Sequence, residues 1–229
     1  MIPPELYLDT LSVACWATVA GYHFLMFGFF FFQRFRIIDV LVHRTRVPNY
    51  WLYLASFFLL MAFGRGFFII WDFYLDNILW WRIGTCIQWF ALAFLALLIG
   101  YLILDNLYHQ MIVAIPPPII AILVLFVPED LIITPNAAFR LIINYALAPI
   151  YAIVIPALFF YLAYHSVGTI RRGSILNGIG FLILYAGRVI SSELVKQALT
   201  PWVGAIFAPG LVILALLLIS GGNQYELLT

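Results

Sequence analysis

The segment WLYLASFFLLMAFGRGFFIIWDF at residues 51–73 is apolar throughout except for two charged side chains, Arg65 and, near its end, Asp72. An α-helix needs about 20 predominantly apolar residues to cross the roughly 30 Å hydrocarbon core of a bilayer. The segment therefore predicts a transmembrane helix. It also places a guanidinium group past the middle of that helix, where a charge is costly and needs a reason.

The same pattern recurs along the whole chain. Of the 229 residues, 66% are apolar and 9% are charged, whereas about a quarter of the residues of a soluble domain are charged. The fold class that we expect is all-α, a polytopic bundle of seven transmembrane helices that occupies 1–229 as a single transmembrane domain. Numbered along the chain, with the segment at 51–73 as helix 2, the other apolar runs lie at about 11–33 (helix 1), 81–105 (helix 3), 111–128 (helix 4), 139–164 (helix 5), 174–193 (helix 6) and 203–220 (helix 7).

Arginine positions predict the orientation of this bundle. Seven crossings place the basic loop before helix 2 and the Arg171-Arg172 pair on the same side, as the positive-inside rule requires, whereas six crossings would separate them. We therefore expect the N-terminus outside, the C-terminus inside, and a location in the cell membrane. The formal net charge of +1 excludes a nucleic-acid-binding protein that relies on bulk electrostatics.

Proline and glycine positions predict local features of the helices. The run Pro116 to Pro118 fits a helix without losing backbone hydrogen bonds only in the first turn. Pro149 and Pro156, two turns apart in helix 5, predict a bend. Three glycines of helix 6 predict close packing against a neighbouring helix; they are Gly178, Gly180 and Gly187.

A Gly-Arg pair occurs at a similar position in two helices of the same direction. Gly64-Arg65 lies in helix 2 and Gly187-Arg188 in helix 6. We therefore expect that 11–105 and 139–220 are parallel repeats joined by the linker helix 111–128, an arrangement that transporters use.

The three-plus-one-plus-three order, the outside N-terminus and the length resemble the PQ-loop superfamily, which includes SWEET sugar transporters and the KDEL receptor. The resemblance covers the whole chain as architecture and implies a small carrier or receptor. The Pro-Gln signature of that family would fall on Pro156-Ala157, where the Gln is absent, and helix 1 has no proline between Leu11 and Gln33.

Polar side chains within the apolar runs are the candidate functional residues. We expect Arg65, Arg188 and their polar neighbours to line an outward-facing cavity and to bind a carboxylate or phosphate by forked hydrogen bonds. The alternative is structural, since Asp72 and Glu193 follow the two arginines and could pair with them to lock the bundle. The candidate ligand-binding residues are Arg65, Arg188, Gln88, Asn144, His23, Asp72 and Glu193.

The sequence contains none of the common catalytic or cofactor motifs. It has no G-x-S-x-G, no H-E-x-x-H and no phosphate-binding loop, and its histidines lack the spacing of a zinc or haem site. The topology and size also resemble those of microbial rhodopsins, but helix 7, which carries their retinal-bearing lysine, has no lysine here, so we do not expect a retinal pigment. We therefore expect no catalytic residue, no metal and no cofactor. Cys15 and Cys86, both within apolar runs, are interpreted as free packing thiols, with a disulfide bridge between them as the alternative.

Three classes of function remain. The first is a receptor or carrier for a small anionic ligand. The second is a non-catalytic subunit of a larger membrane complex, with its 21 Phe residues against partner helices or lipid. The third is an intramembrane enzyme whose site is assembled from several helices. The expected partners are the lipid bilayer, a small anionic ligand, a partner membrane subunit, and a cytoplasmic protein docked on the inner loop 34–50, but no nucleic acid.

Overall fold

The computed structural model describes residues 4–38, 47–75, 77–103, 106–132, 138–191 and 202–224. All regular structure in these ranges is helical, and it contains seven helical segments long and apolar enough to cross a membrane. This confirms the all-α class and the presence of seven segments long and apolar enough to span a membrane. The spans are Asp9–Phe35, Tyr50–Phe73, Ile78–Leu98, Tyr108–Phe126, Ala148–His165, Gly168–Ile190 and Val203–Gln224.

The chain forms two compact units. One comprises Ala20–Val127 and is called the α2 unit here; the other comprises Met1–Val19 and Pro128–Thr229 and is called the α8 unit. The first helix, α1 (Pro4–Ile38), has residues in both. The internal repeat over 11–105 and 139–220 stays a prediction.

The α2 unit contains four further helices. They are α2 (Val47–Phe73), α3 (Ile78–Ile103), α4 (Leu107–Ala114) and α5 (Pro116–Phe126). Ile115 separates the last two helices, and the three prolines that follow it open α5. Because a first-turn N–H has no intrahelical partner, proline loses nothing there. The linker helix expected as one run over 111–128 is therefore divided at Ile115, where the prolines open a second helix.

Two kinds of packing hold the α2 unit together. Aromatic rings fill the space between α1 and α2, with Phe30 stacked on Trp51 at 5.6 Å and on Phe58 at 5.4 Å between ring centroids. Glycines instead bring α2 and α3 close, since a Cβ built on Gly64 would lie 3.3 Å from the carbonyl oxygen of Gly84. Small residues at such a crossing allow two backbones to approach without side chains between them.

The α8 unit contains the remaining helices. A short α6 (Ala138–Leu141) leads through a π-helical turn (Ile142–Leu147) into α7 (Ala148–His165). Next come α8 (Gly168–Ile190), a second π-helical turn (Val203–Phe207) and α9 (Ala208–Gln224). Helix 6, expected at 174–193, thus begins six residues earlier as α8, and Arg171 and Arg172 lie in the helix, not in a loop.

Both π-helical turns end in an Ala-Pro pair. The N–H of Ala148, before Pro149, donates to the carbonyl of Ile143, and the N–H of Ala208, before Pro209, donates to Val203. A proline has no N–H, and its ring clashes with the carbonyl four residues earlier. A turn widened to five residues relieves this clash, so each proline explains the π-helical turn that precedes it.

Small residues at seven-residue intervals bring α8 and α9 together. A Cβ built on Gly180 would lie 3.1 Å from the Ala215 carbonyl oxygen, and one on Gly187 would lie 3.2 Å from that of Ala208. Gly178 instead faces α7, because its Cβ would lie 2.8 Å from the ring of Phe160. The predicted close packing is confirmed. The opposed pairs of α8 and α9 are Gly173–Gly222, Gly180–Ala215 and Gly187–Ala208.

Candidate functional site

The seven sequence candidates fall in both units. The α2 unit holds His23, Arg65, Asp72 and Gln88, and the α8 unit holds Asn144, Arg188 and Glu193. Asn144 belongs to the first π-helical turn, but its side chain is outside the described part of the structure, as is all of Glu193. The expectation that both arginines line one cavity stays a prediction.

Arg65 lies deep within a spanning helix. It is eight residues before Phe73, the last residue of α2, which corresponds to about 12 Å along the helix axis at 1.5 Å per residue. Its side chain is half-buried and has an interaction partner in the structure. A guanidinium at this depth is consistent with both hypotheses from the sequence, the ligand site and the structural lock.

The close contact between α2 and α3 positions the residues around Arg65. A Cβ on Gly64 would lie 2.8 Å from Cγ of Gln88, so the backbone immediately before Arg65 touches the side chain of Gln88. Gln88 and Thr85 are both buried, with exposures of 4% and 3%. The sequence had indicated Gln88 but not Thr85, which lies one turn before it and could have been noticed as a second polar residue in an apolar helix.

Asp72, near the end of α2, and His23, on α1, lie at other levels of the α2 unit. Asp72 is exposed and has an interaction partner; it is two turns beyond Arg65. The ring of His23 is buried and lies 6.1 Å from that of Phe58, centroid to centroid. Because Phe58 is seven residues before Arg65, His23 meets α2 about 10 Å from the level of Arg65.

Arg188 lies in the last turn of α8. The sequence placed it deeper, because helix 6 was expected to continue to 193. Ser191 caps this end: its N–H donates to the carbonyl of Gly187 at 3.0 Å and its hydroxyl donates to that of Arg188 at 2.8 Å. The last carbonyls of a helix carry partial negative charge and favour a cation, which gives Arg188 electrostatic support from its own helix.

Two tyrosines accompany Arg188. Tyr185, one turn earlier on α8, lies near Arg188, and Tyr151 on α7 lies near Tyr185. Tyr151 is buried, whereas Tyr185 and Arg188 are half-buried. Sequence reasoning missed both tyrosines, because their proximity depends on how α7 and α8 are aligned.

Within the described ranges, no group of three or more His, Cys, Asp or Glu residues could hold a metal ion. Cys15 and Cys86 are free thiols. The inner loop suggested as a protein dock, 34–50, lies mostly outside the described residues, since 39–46 are not included.

Comparison with protein-family models, with curated proteins and with solved structures finds no match for this chain. The resemblance to PQ-loop proteins therefore stays a prediction. Any functional assignment rests on the geometry of the residues themselves.

Proposed function

We propose that this protein is a small seven-helix membrane receptor or carrier that binds a small anionic ligand through arginines within its spanning helices. The single observation behind this proposal is the position of Arg65, half-buried and eight residues inside the end of α2. A charged residue near the centre of a membrane helix costs about 2.5–3.5 kcal/mol on insertion scales. A charged residue that carries such a cost is typically retained where it binds a ligand or an ion or transfers a proton.

The surroundings of Arg65 support an anion site. The contact of Gly64 with Gly84 and Gln88 fixes the backbone from which the Arg65 side chain extends. A guanidinium presents five N–H donors in a planar fork that matches a carboxylate or a phosphate. The buried amide of Gln88 and the buried hydroxyl of Thr85 supply neutral polar groups on the adjacent helix.

Anion-dependent stabilisation of Arg65 variants tests the proposal. The purified protein in lipid nanodiscs is heated with chloride as the reference anion and with butyrate, glutamate or phosphate as probes. A ligand at 100 times its Kd stabilises the folded state by about 2.7 kcal/mol. We expect at least one probe to raise the melting temperature of the wild type and to have no effect on Arg65→Gln.

The matched control for this experiment is Arg172→Gln, which removes an exposed arginine at the start of α8 and should keep the full response. Loss of folded protein on Arg65→Gln would instead show that Arg65 locks the bundle. A wild type that is unstable unless it co-purifies with another membrane protein would favour the complex-subunit alternative.

Flux measurements separate a carrier from a receptor. If the probe that binds is also taken up by proteoliposomes, and uptake is lost in Arg65→Gln, the protein is a carrier. Binding without uptake assigns it as a receptor. In either case we place the N-terminus and the ligand entrance outside the cell membrane, because the arginine-rich segments 34–46 and 171–172 then lie inside.

A further inference from the structure

Aromatic rings fix the alignment of α1 with α2. The ring of Phe30 lies between those of Trp51 and Phe58, with centroid distances of 5.6 Å and 5.4 Å. Farther back along α1, the ring of Phe24 meets that of Phe63 at 5.5 Å. Residue numbers therefore fall along α1 as they rise along α2, so the two helices are antiparallel. The end of α1 lies beside the beginning of α2.

Polar side chains continue the buried face of α1 at this end. Met26 and Phe30 are buried, and Gln33 follows at the same helical spacing with 7% of its surface exposed. Arg34, four residues after Phe30, is half-buried. Since Phe30 lies about one turn from the level of Trp51, side chains one turn further along α1 reach that level. Trp51 itself is 1% exposed.

This group contains three buried polar atoms, which are Oε1 of Gln33, Nε of Arg34 and Nε1 of Trp51. None of the three has a hydrogen-bond partner in the part of the chain that the structure describes. A buried polar atom without a partner is costly, so native proteins satisfy almost all such atoms. Two donors and one acceptor at one level fit an occupant that has a negatively charged, accepting part and a separate donating part.

The position of this group in the spanning helices indicates the kind of occupant. The first span ends at Phe35, just after Gln33 and Arg34. The second begins at Tyr50, just before Trp51. The ends of spanning helices lie at the level of the lipid head groups, and basic pockets between such helices bind phospholipid head groups in other membrane proteins. A phospholipid is therefore the polar molecule that is always available here.

Acidic residues of the α2 unit are the competing partners for the two donors. They are Asp39, Asp72, Asp76 and Asp105. Asp72 lies on α2 roughly 30 Å along the helix axis from Trp51, which is too far for a contact. The other three lie outside the described residues, and two of them, Asp39 and Asp105, follow the ends of α1 and α3 in the sequence. Asparagine variants of these two therefore enter the test.

We propose that Gln33, Arg34 and Trp51 bind the head group of one phospholipid that carries both a phosphate and a hydrogen-bond donor, either an ammonium or a hydroxyl group. The N–H groups of Arg34 and Trp51 donate to phosphate oxygens, and the ammonium or hydroxyl donates to Oε1 of Gln33. The unbranched side chains of Gln33 and Arg34 can change rotamer to admit the head group. The inference goes beyond the proposed function and does not depend on the Arg65 site.

The test compares phosphatidylethanolamine, whose ammonium has N–H donors, with phosphatidylcholine, whose quaternary ammonium has none. The delipidated full chain in detergent micelles is titrated with either lipid, and bound lipid is counted by native mass spectrometry. A hydrogen bond to a charged group typically changes binding by about tenfold or more, so phosphatidylethanolamine should bind more tightly by about that factor. Trp51→Phe should raise the Kd of both lipids by a similar factor, and Gln33→Met should abolish the preference.

The matched control for Trp51→Phe is Trp80→Phe. Trp80 also stacks on a phenylalanine, Phe67, with a centroid distance of 5.8 Å, and it lies at the other end of the α2 unit. Its replacement removes an indole from a similar stack and should leave both Kd values unchanged. If Trp51→Phe does not fold, Gln33→Met decides, because methionine keeps the length and flexibility of the side chain.

Equal affinity of the wild type for the two lipids, or a preference that persists in Gln33→Met, overturns the inference. Inorganic phosphate that binds while the two lipids do not differ overturns it as well, because the occupant is then a soluble anion. Asp39→Asn and Asp105→Asn should leave the lipid preference unchanged, and its loss in either variant would assign the donors to that carboxylate. The anion response of Arg65 is measured separately, so the proposed function stands or fails independently of these results.

Discussion

The contact between Gly222 and α8 allows the packing of two spanning helices to be tested with one methyl group. A Cβ at position 222 would lie 2.8 Å from the carbonyl oxygen of Gly173, 3.0 Å from Oδ1 of Asn177 and 3.1 Å from Cβ of Leu176. The nearest of these atoms belongs to the backbone, so it cannot rotate away. Gly222→Ala must therefore push α8 and α9 apart.

The expected cost follows from this geometry. Overpacking of a tight interface typically costs about 1–3 kcal/mol. The separation also strains the hydrogen bond from Nδ2 of Asn223 to Oδ1 of Asn177, which is buried and 2.9 Å long, and the loss of such a bond costs about 1 kcal/mol. We expect Gly222→Ala to lower the free energy of unfolding by about 2–4 kcal/mol relative to its control.

The control is Gly221→Ala, one residue earlier in the same helix. A Cβ at position 221 meets no atom within 4 Å, while the gain in helix propensity, about 1 kcal/mol in water, is the same for both variants. The assay is reversible unfolding in mixed micelles with increasing dodecyl sulfate, followed by circular dichroism. Equal stability of the two alanine variants would refute the observed proximity of α8 and α9.

Three other predictions concern the arginine region, a π-helical turn and the orientation. Gly64→Ala should weaken anion binding at Arg65 by displacing Gln88, whereas Gly66→Ala, where a Cβ meets nothing within 4 Å, should not; calorimetric titration distinguishes them. Pro209→Ala restores an N–H, so the turn Val203–Phe207 should tighten to α-helix, which appears as slowed hydrogen exchange of the residue 209 amide; exchange as fast as that of an unbonded amide would contradict the proline explanation. An epitope tag at the N-terminus should be digested by protease added outside intact cells, and complete protection of the tag would reverse the proposed orientation.

The spanning helices could be predicted from sequence because the hydropathy of a segment indicates directly whether lipid or water surrounds it. All seven apolar runs correspond to helical segments, but the run 111–128 is divided at Ile115, because Pro116 to Pro118 open a new helix. The start of α8 was missed, because the polar residues from Gly168 to Arg172 resemble a loop. A helix can extend past the hydrocarbon layer, and hydropathy does not register that extension.

The polar clusters could be predicted only in part. Arg65 and Gln88 were recognisable, since charged and amide groups are rare in apolar helices, and the structure brings Gln88 to the residue preceding Arg65. The alignment of α7 with α8 is marked by the stacked rings of Phe159 and Phe181, which no local sequence pattern encodes. The π-helical turns did have a signal, the repeated Ala-Pro at 148–149 and 208–209, but its meaning requires the structure.

The most direct test of the ligand-site interpretation is the free energy of unfolding of the Arg65→Gln, Arg188→Gln double variant without added anion. Residues that a protein retains because they bind a ligand often destabilise its folded state. Replacing both arginines with glutamine should therefore leave the free energy of unfolding within about 1 kcal/mol of the wild-type value or raise it. If the arginines instead lock the bundle through buried ion pairs, removing them should cost about 3–5 kcal/mol per broken pair. A loss of that size, or a failure to fold, would contradict the interpretation.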